Sequence, residues 1–205
     1  MIQIRDKQNC AGCTACMAAC PKNAISMVED EQGFLYPIID EEKCINCDIC
    51  NLSCPMLKTY SSQNEYSAYA VKHKDICVLN DSTSGGIFTA VSDYILDQGG
   101  VVYGAALDNE MVVRHIRGIS PKERNRMRGS KYVQSDLGNT LEQVKNDLSA
   151  GKTVLFTGTP CQVAGLKSYL KKEYDNLICM DLICYGVANP RVFRDHIYLL
   201  SKNYG

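Results

Sequence analysis

Cys10-Ala11-Gly12-Cys13-Thr14-Ala15-Cys16-Met17-Ala18-Ala19-Cys20-Pro21 is answered further along by Cys44-Ile45-Asn46-Cys47-Asp48-Ile49-Cys50-Asn51-Leu52-Ser53-Cys54-Pro55. Both stretches read C-x2-C-x2-C-x3-C-P, and together they use eight of the twelve cysteines in the chain. Two residues between cysteines let one turning loop aim three thiolates at a common centre. Three further residues carry the fourth thiolate away from that centre. Proline then removes a backbone N–H and biases Cys20 and Cys54 away from helix. The second stretch begins 34 positions after the first (Cys44 against Cys10), so the segment is an internal repeat.

This spacing resembles the bacterial two-cluster ferredoxin pattern, in which the fourth cysteine of each run ligates the other run's cluster. The resemblance implies that Cys10, Cys13, Cys16 and Cys54 hold one 4Fe-4S cluster, and that Cys44, Cys47, Cys50 and Cys20 hold a second. The continuation Pro21-Lys22-Asn23-Ala24-Ile25 has the same character. Paired C-x2-C units also bind zinc, and eight cysteines could form four disulfides. Zinc does not require four cysteines at this tight spacing, twice, each followed by proline. Disulfides need an oxidising compartment, and no secretory signal is read ahead of Met1, so a cytoplasmic location is expected. The cluster module has little else to bury, so without metal it is expected to be largely unfolded.

With 205 residues the chain can form one large or two small domains. The formal charge is −1, from 22 basic and 23 acidic residues, which leaves no nucleic-acid footprint. Two bound clusters would take the formal count to about −5. No apolar run approaches the roughly 18 residues of a membrane span.

The expected organisation is a cluster domain over residues 1–57, a polar linker over 58–65, and an α/β domain over 66–205. Within the first, residues 29–33 read as a turn followed by the apolar piece 34–39. In the second, residues 66–72 alternate like a strand, and 83–96 read as a helix with Ile87, Phe88, Val91, Tyr94 and Ile95 on one face. Residues 101–107 and 111–116 read as a hairpin. Residues 138–150 read as a helix closed by Gly151, 153–156 as a buried strand and 162–170 as a helix. A strand at 177–183 and a helix at 191–202, opened by Asn189-Pro190, complete the alternation. The fold class predicted is therefore an α+β dicluster ferredoxin-type module followed by an α/β domain; that this domain is partial at its C-terminus is only what a family resemblance of its motifs implies.

Several motifs of the second domain carry chemistry. Asp81-Ser82-Thr83-Ser84-Gly85-Gly86 precedes a helix and suits either an anion or an ordinary N-cap. Thr157-Gly158-Thr159-Pro160-Cys161-Gln162 follows a buried strand, where open α/β sheets bind ligands. Asp181-Leu182-Ile183-Cys184-Tyr185-Gly186 ends the next strand, so Cys161 and Cys184 are expected at one rim, as ligands, a redox pair or a coincidence. Cys77 and Cys179 sit in apolar, strand-like contexts and read as core residues. Arg124, Arg126, Arg128 and Lys131 form a basic stretch, read as a solvated face or an anion holder. His73, His115 and His196 have no evident pairing and read as incidental.

Ser82 to Ile87, Gly129 to Ser135, Gly158 to Gln162 and Asp181 to Gly186, behind a two-cluster module, resemble the beta-subunit family of deazaflavin (coenzyme F420) hydrogenases and dehydrogenases. The resemblance implies an iron–sulfur flavoprotein. FAD would sit in the α/β domain, with Ser82, Thr83, Ser84, Gly85, Gly86, Lys131, Tyr132 and Thr159 as candidate contacts. Cys161 and Cys184 would be candidate ligands of a third 4Fe-4S cluster, completed by a C-x2-C pair that this chain lacks. The implied activity is an oxidoreductase subunit passing electrons between two clusters and a flavin. That flavin would exchange hydride with deazaflavin or another small organic substrate, and a redox partner protein or ferredoxin would serve the other end. The competing readings are a ferredoxin-like electron carrier without its own substrate site and a zinc-stabilised interaction module.

Overall fold

The computed structural model describes residues 7–58 and 66–204. In the first part, α1 (Ala15–Ala18), β1 (Ile25–Glu29), β2 (Leu35–Ile39) and α2 (Ile49–Leu52) surround the two cysteine runs. β1 and β2 pair as an antiparallel hairpin. The Asp30 carboxylate accepts from the backbone N–H groups of Gln32 and Phe34, and Gly33 takes φ +87°. A left-handed turn of this kind favours glycine. The repeat is structural as well as sequential. α1 and α2 sit at equivalent positions of the two runs, and so do the left-handed pairs Gly12/Thr14 and Asn46/Asp48. Each loop reverses its backbone twice to wind around a centre.

The second part runs α3 (Ile76–Asn80), α4 (Ile87–Asp97), β3 (Val101–Leu107), β4 (Val113–Gly118), α5 (Pro121–Asn125), α6 (Thr140–Ser149), β5 (Val154–Gly158), α7 (Pro160–Leu170), β6 (Leu177–Asp181) and α8 (Pro190–Tyr204). The sheet order is β4-β3-β5-β6. β3, β5 and β6 are parallel, and β4 is an antiparallel edge. Alternation across the strands sorts the core into two layers. Val101, Tyr103, Val154 and Phe156 face α6 and α7, with Leu141, Val144, Val163 and Leu166. Val102 and Leu155 face α4, with Ile95 and Met127. Tyr103 and Phe156 are fully buried, each contributing on the order of 2–3 kcal/mol of transfer free energy.

Polar groups inside this body are spent on one another. Tyr103 donates to Asp147 at 2.6 Å, and Arg117 grips the same carboxylate through Nε and Nη2 at 2.7 and 2.9 Å. The Arg117 contact is the main reason the Asp147 carboxyl lies far below the usual carboxylate range. Buried Arg124 donates to Thr89 O and Ser92 Oγ and pairs with Asp93 at 2.7 Å, pinning α5 to α4. The basic stretch is thus partly interior and not a solvated face.

Three expectations change. Residues 66–72 form no strand despite their alternation, because no ladder partner meets them; all are exposed. Residues 76–80 form a helix, and Cys77 is exposed on it, so it is not a core residue. The helix expected from residue 83 starts at Ile87, because Gly86 at φ +75° turns the chain before it. Cys179 does lie in a strand, half-buried in β6. The linker expected over 58–65 lies, apart from Lys58, outside the described residues. Lys58 Nζ donates to Ser168 Oγ on α7 at 2.9 Å.

The two parts share packing. Cys13 and Ala15 belong to the same buried cluster as Val163 and Leu166 of α7. Gly165 of α7 makes that approach possible: a Cβ there would lie 2.9 Å from Cys13 Cβ and 3.0 Å from its Sγ. On the opposite side, Arg194 pairs with Glu29 at 2.8 Å, and Arg191 Nη1 and Asn189 Nδ2 donate to the carbonyls of Glu31 and Gln32.

Candidate metal centres

The eight repeat cysteines divide into two groups, and each group draws on both runs. Cys20, Cys44, Cys47 and Cys50 line one small cavity, together with Ile25 and Ile39. The other four thiols feel one another. Burial pushes the Cys13 thiol up to about 11, and the neighbouring Cys54, Cys10 and Cys161 thiols add to the shift. Burial pushes Cys16 up to about 12, with Cys13, Cys10 and Cys54 acting in the same direction. Cys10 is raised by burial and, to a lesser degree, by Cys54. Left alone these thiols stay protonated, whereas a coordinating cation deprotonates a thiol outright. A soft, thiolate-only donor set suits iron–sulfur clusters. Among the described residues no three Cys, His, Asp or Glu side chains converge closely enough to share a single ion.

The two groups differ in exposure. Cys13, Cys16 and Cys54 are buried and Cys10 is half-buried, while in the other group Cys47 is exposed, Cys20 and Cys44 are half-buried and Cys50 is buried. The loops differ too. Thr14 and Asp48 occupy equivalent left-handed positions, at φ 59° and 62°. Asp48 accepts from Asn51 Nδ2 at 2.5 Å. Thr14 is β-branched, a residue type for which this backbone region costs about 1–3 kcal/mol. Its Oγ1 is buried with no partner, and so is Ser53 Oγ, next to Cys54.

The basic-stretch motif proves to be a strap. Residues 132–134 run beside Ala188, with Gln134 N donating to Ala188 O and Ala188 N to Tyr132 O. Gln134 Nε2 reaches Ala11 O in the first cysteine loop at 3.4 Å. The next residue enters a closed network under the start of α7. Gln162 Nε2 donates to Ser135 Oγ at 2.9 Å. His115 Nε2 lies 2.9 Å from Thr157 O, and a carbonyl can only accept, so Nδ1 is the acceptor for Ser135 Oγ–H at 3.0 Å. Gln162 Oε1 accepts from Thr159 N, completing a capping box on α7. Burial lowers the His115 pKa to about 4. This histidine, read as incidental, therefore locks the β5–α7 turn; its pairing with Ser135 spans 20 residues and left no local signal.

Of the residues expected around a flavin, the Ser82–Gly86 turn and the Lys131 segment meet through Arg128, whose Nη1 donates to Asp81 at 3.2 Å, while Thr159 lies apart from them. Ser82 Oγ donates to Val78 O at 2.6 Å. Lys131 Nζ donates to the carbonyls of Arg126 and Arg128, and burial lowers its pKa to about 8. Tyr132 is 80 % exposed. Thr159 belongs to the α7 cap, whereas the Ser82–Gly86 turn leads into α4 on the other sheet face. Thr83, Ser84 and Gly85 lie in that same turn, and a Cβ at Gly85 would meet Val71 O at 2.5 Å. Cys161 Sγ lies 3.1 Å from Thr159 Oγ1, and Cys184 Sγ accepts from Gly186 N.

Residues 9–57 match the 4Fe-4S dicluster domain. Residues 151–204 match the C terminus of the coenzyme F420 hydrogenase/dehydrogenase beta subunit. No curated protein matches the chain. A solved structure of the F420-reducing NiFe hydrogenase complex from Methanosarcina barkeri contains a similar chain, at 25% identity and a TM-score of 0.37. The match covers 44% of this chain and 32% of that one, so it spans about a third of the relative's length. Among the described residues no helix is long and apolar enough to cross a membrane. The chain therefore carries two separate matched segments, one similar to 4Fe-4S dicluster domains and one similar to the C terminus of the coenzyme F420 hydrogenase/dehydrogenase beta subunit.

Proposed function

We propose that the chain is an iron–sulfur electron-transfer subunit of an oxidoreductase. In this reading Cys10, Cys13, Cys16 and Cys54 hold one 4Fe-4S cluster, and Cys20, Cys44, Cys47 and Cys50 hold the other. What supports it is that Cys20, Cys44, Cys47 and Cys50, from both runs, line one cavity, while Cys10, Cys13, Cys16 and Cys54, again from both runs, lie near one another with Cys161 beside Cys13. When bound, such clusters take up and release one electron each. The residues of the chain determine where that happens. Ala15, Val163 and Leu166 keep water from the Cys13 side of the first set. Gly165 lets α7 close against Cys13. The Ser135–Gln162–His115 network fixes the turn from which α7 starts. Exposed Cys47 leaves the second set open to a redox partner protein or a ferredoxin. Anaerobic purification with iron and sulfide quantified tests the proposal, and about eight of each per chain are expected.

A flavin exchanging hydride with deazaflavin or another organic substrate is the second reading. What favours it is α4, which begins at Gly86 without a side-chain cap and so leaves first-turn N–H groups for another acceptor. The side chains expected to hold it do not fit that role, because Ser82 and Lys131 are spent on main-chain carbonyls. A flavin absorption band retained through gel filtration would favour the second reading, and its absence would leave an electron carrier.

A further inference from the structure

We propose that the hydroxyls of Thr14 and Ser53 donate hydrogen bonds to sulfur of the first cluster and set its reduction potential apart from that of the second. The inference rests on the ligand sets proposed above. Both hydroxyls are buried, at 3 % and 0 % residue exposure, and neither has a partner among protein atoms. Buried polar groups almost always find a partner, so an unpaired pair of donors calls for an acceptor. Thr14 follows Cys13, and Ser53 precedes Cys54. Each hydroxyl thus adjoins a ligand of the first set, and the two come from different runs.

The repeat supplies an internal control. The position equivalent to Thr14 is Asp48, which turns its carboxylate to Asn51. The position equivalent to Ser53 is Ala19, which has no hydroxyl. The second set therefore lacks both donors. A donor aimed at cluster sulfur stabilises the extra negative charge of the reduced state and raises the potential. Burial works the other way, because a charge is less favourable away from water. The two hydroxyls offset that penalty where the first set is most enclosed. Thr14 also lines a cavity between the two parts of the molecule, with Gly12, Gln134 and Arg194, so a water is the competing partner for its hydroxyl. Ser53 does not line that cavity.

The test is an EPR-monitored potentiometric titration of the full chain, reconstituted anaerobically, with iron and sulfide measured on the same samples. Thr14→Val and Ser53→Ala should keep full iron and sulfide and lower one of the two one-electron midpoints, leaving the other in place. A tenfold change in the reduced-to-oxidised ratio corresponds to about 59 mV. Thr14→Ser should restore the original value. Ser53→Ala removes a single atom and keeps the test readable if Thr14→Val disturbs the loop. Unchanged midpoints with full iron would overturn the inference and assign the Thr14 hydroxyl to water. Loss of iron from both variants would overturn it too, making the hydroxyls structural. An unaltered protein that takes up no iron would instead overturn the ligand reading itself.

Discussion

The two cysteine loops share a spacing, a pair of left-handed turns and a short helix, yet they meet different surroundings. The first packs on α7, with Cys13 and Ala15 inside the main core and Gln134 reaching its backbone. The second, flanked by Asp40, Glu41, Glu42 and Asp48, carries the exposed Cys47. The same local spacing therefore gives a first loop packed into the core and a second loop with one exposed cysteine. The difference comes from what the α/β body presents to each.

Breaking the comparison at the ligands gives the largest effect. Cys13→Ala should lose the first cluster, about half the iron, and loosen α7 as well, because Cys13 is both a proposed ligand and a core residue. Cys47→Ala should remove a similar share of iron while leaving the thermal unfolding of the α/β body close to that of the parent. Metal analysis combined with calorimetry separates the two, and equal damage from both would remove the distinction between the loops.

How much of this was legible in sequence follows from the kind of signal each element leaves. The cysteine runs announce themselves because their ligands are local, and strands such as 154–158 do so because burial on both faces leaves an apolar run. The strand read at 66–72 failed because alternation says nothing about whether a partner strand exists. The helix at 76–80 was hidden by its few residues and by Ile76 and Val78, which favour strands. The grouping of Gln134, Ser135, His115 and Gln162 depends on contacts far apart in sequence, so the motif around Lys131 was visible and its role as a strap was not. Nothing local to Gly165 marks its close approach to the Cys13 loop, because that contact joins residues far apart in sequence.

Acid should strain the seat of the first loop. In an unfolded chain His115 titrates near 6.5, and in the fold burial holds it at about 4. Between those values the unfolded chain takes a proton that the native state refuses, so stability falls as pH drops from 6.5 toward 4. The loss reaches about 3 kcal/mol at the lower end. His115→Gln should flatten that part of the stability–pH profile in denaturant titrations. A variant with the same slope as the parent would show that the histidine is not the group responsible.

Gly165→Ala tests the closeness of the first loop more gently. The added Cβ would crowd Cys13 Cβ and Sγ, so an overpacking cost of about 1–3 kcal/mol is expected, with weaker retention of iron by the first loop only. Iron loss during dialysis against a chelator measures it. The smallest effect is expected on the far side of the cluster module. Arg194→Ala removes an exposed pair with Glu29 and should cost less than about 1 kcal/mol in urea unfolding.

In the proposed arrangement two sets of four thiolates, each drawn from both runs, hold two clusters in unlike surroundings. Iron, sulfide and zinc quantified together on anaerobically purified chain, with EPR of the reduced sample, test it most directly. About eight irons and eight sulfides per chain and two distinguishable reduced 4Fe-4S signals are expected. Zinc without sulfide, or iron sufficient for only one cluster in the unaltered protein, would contradict it.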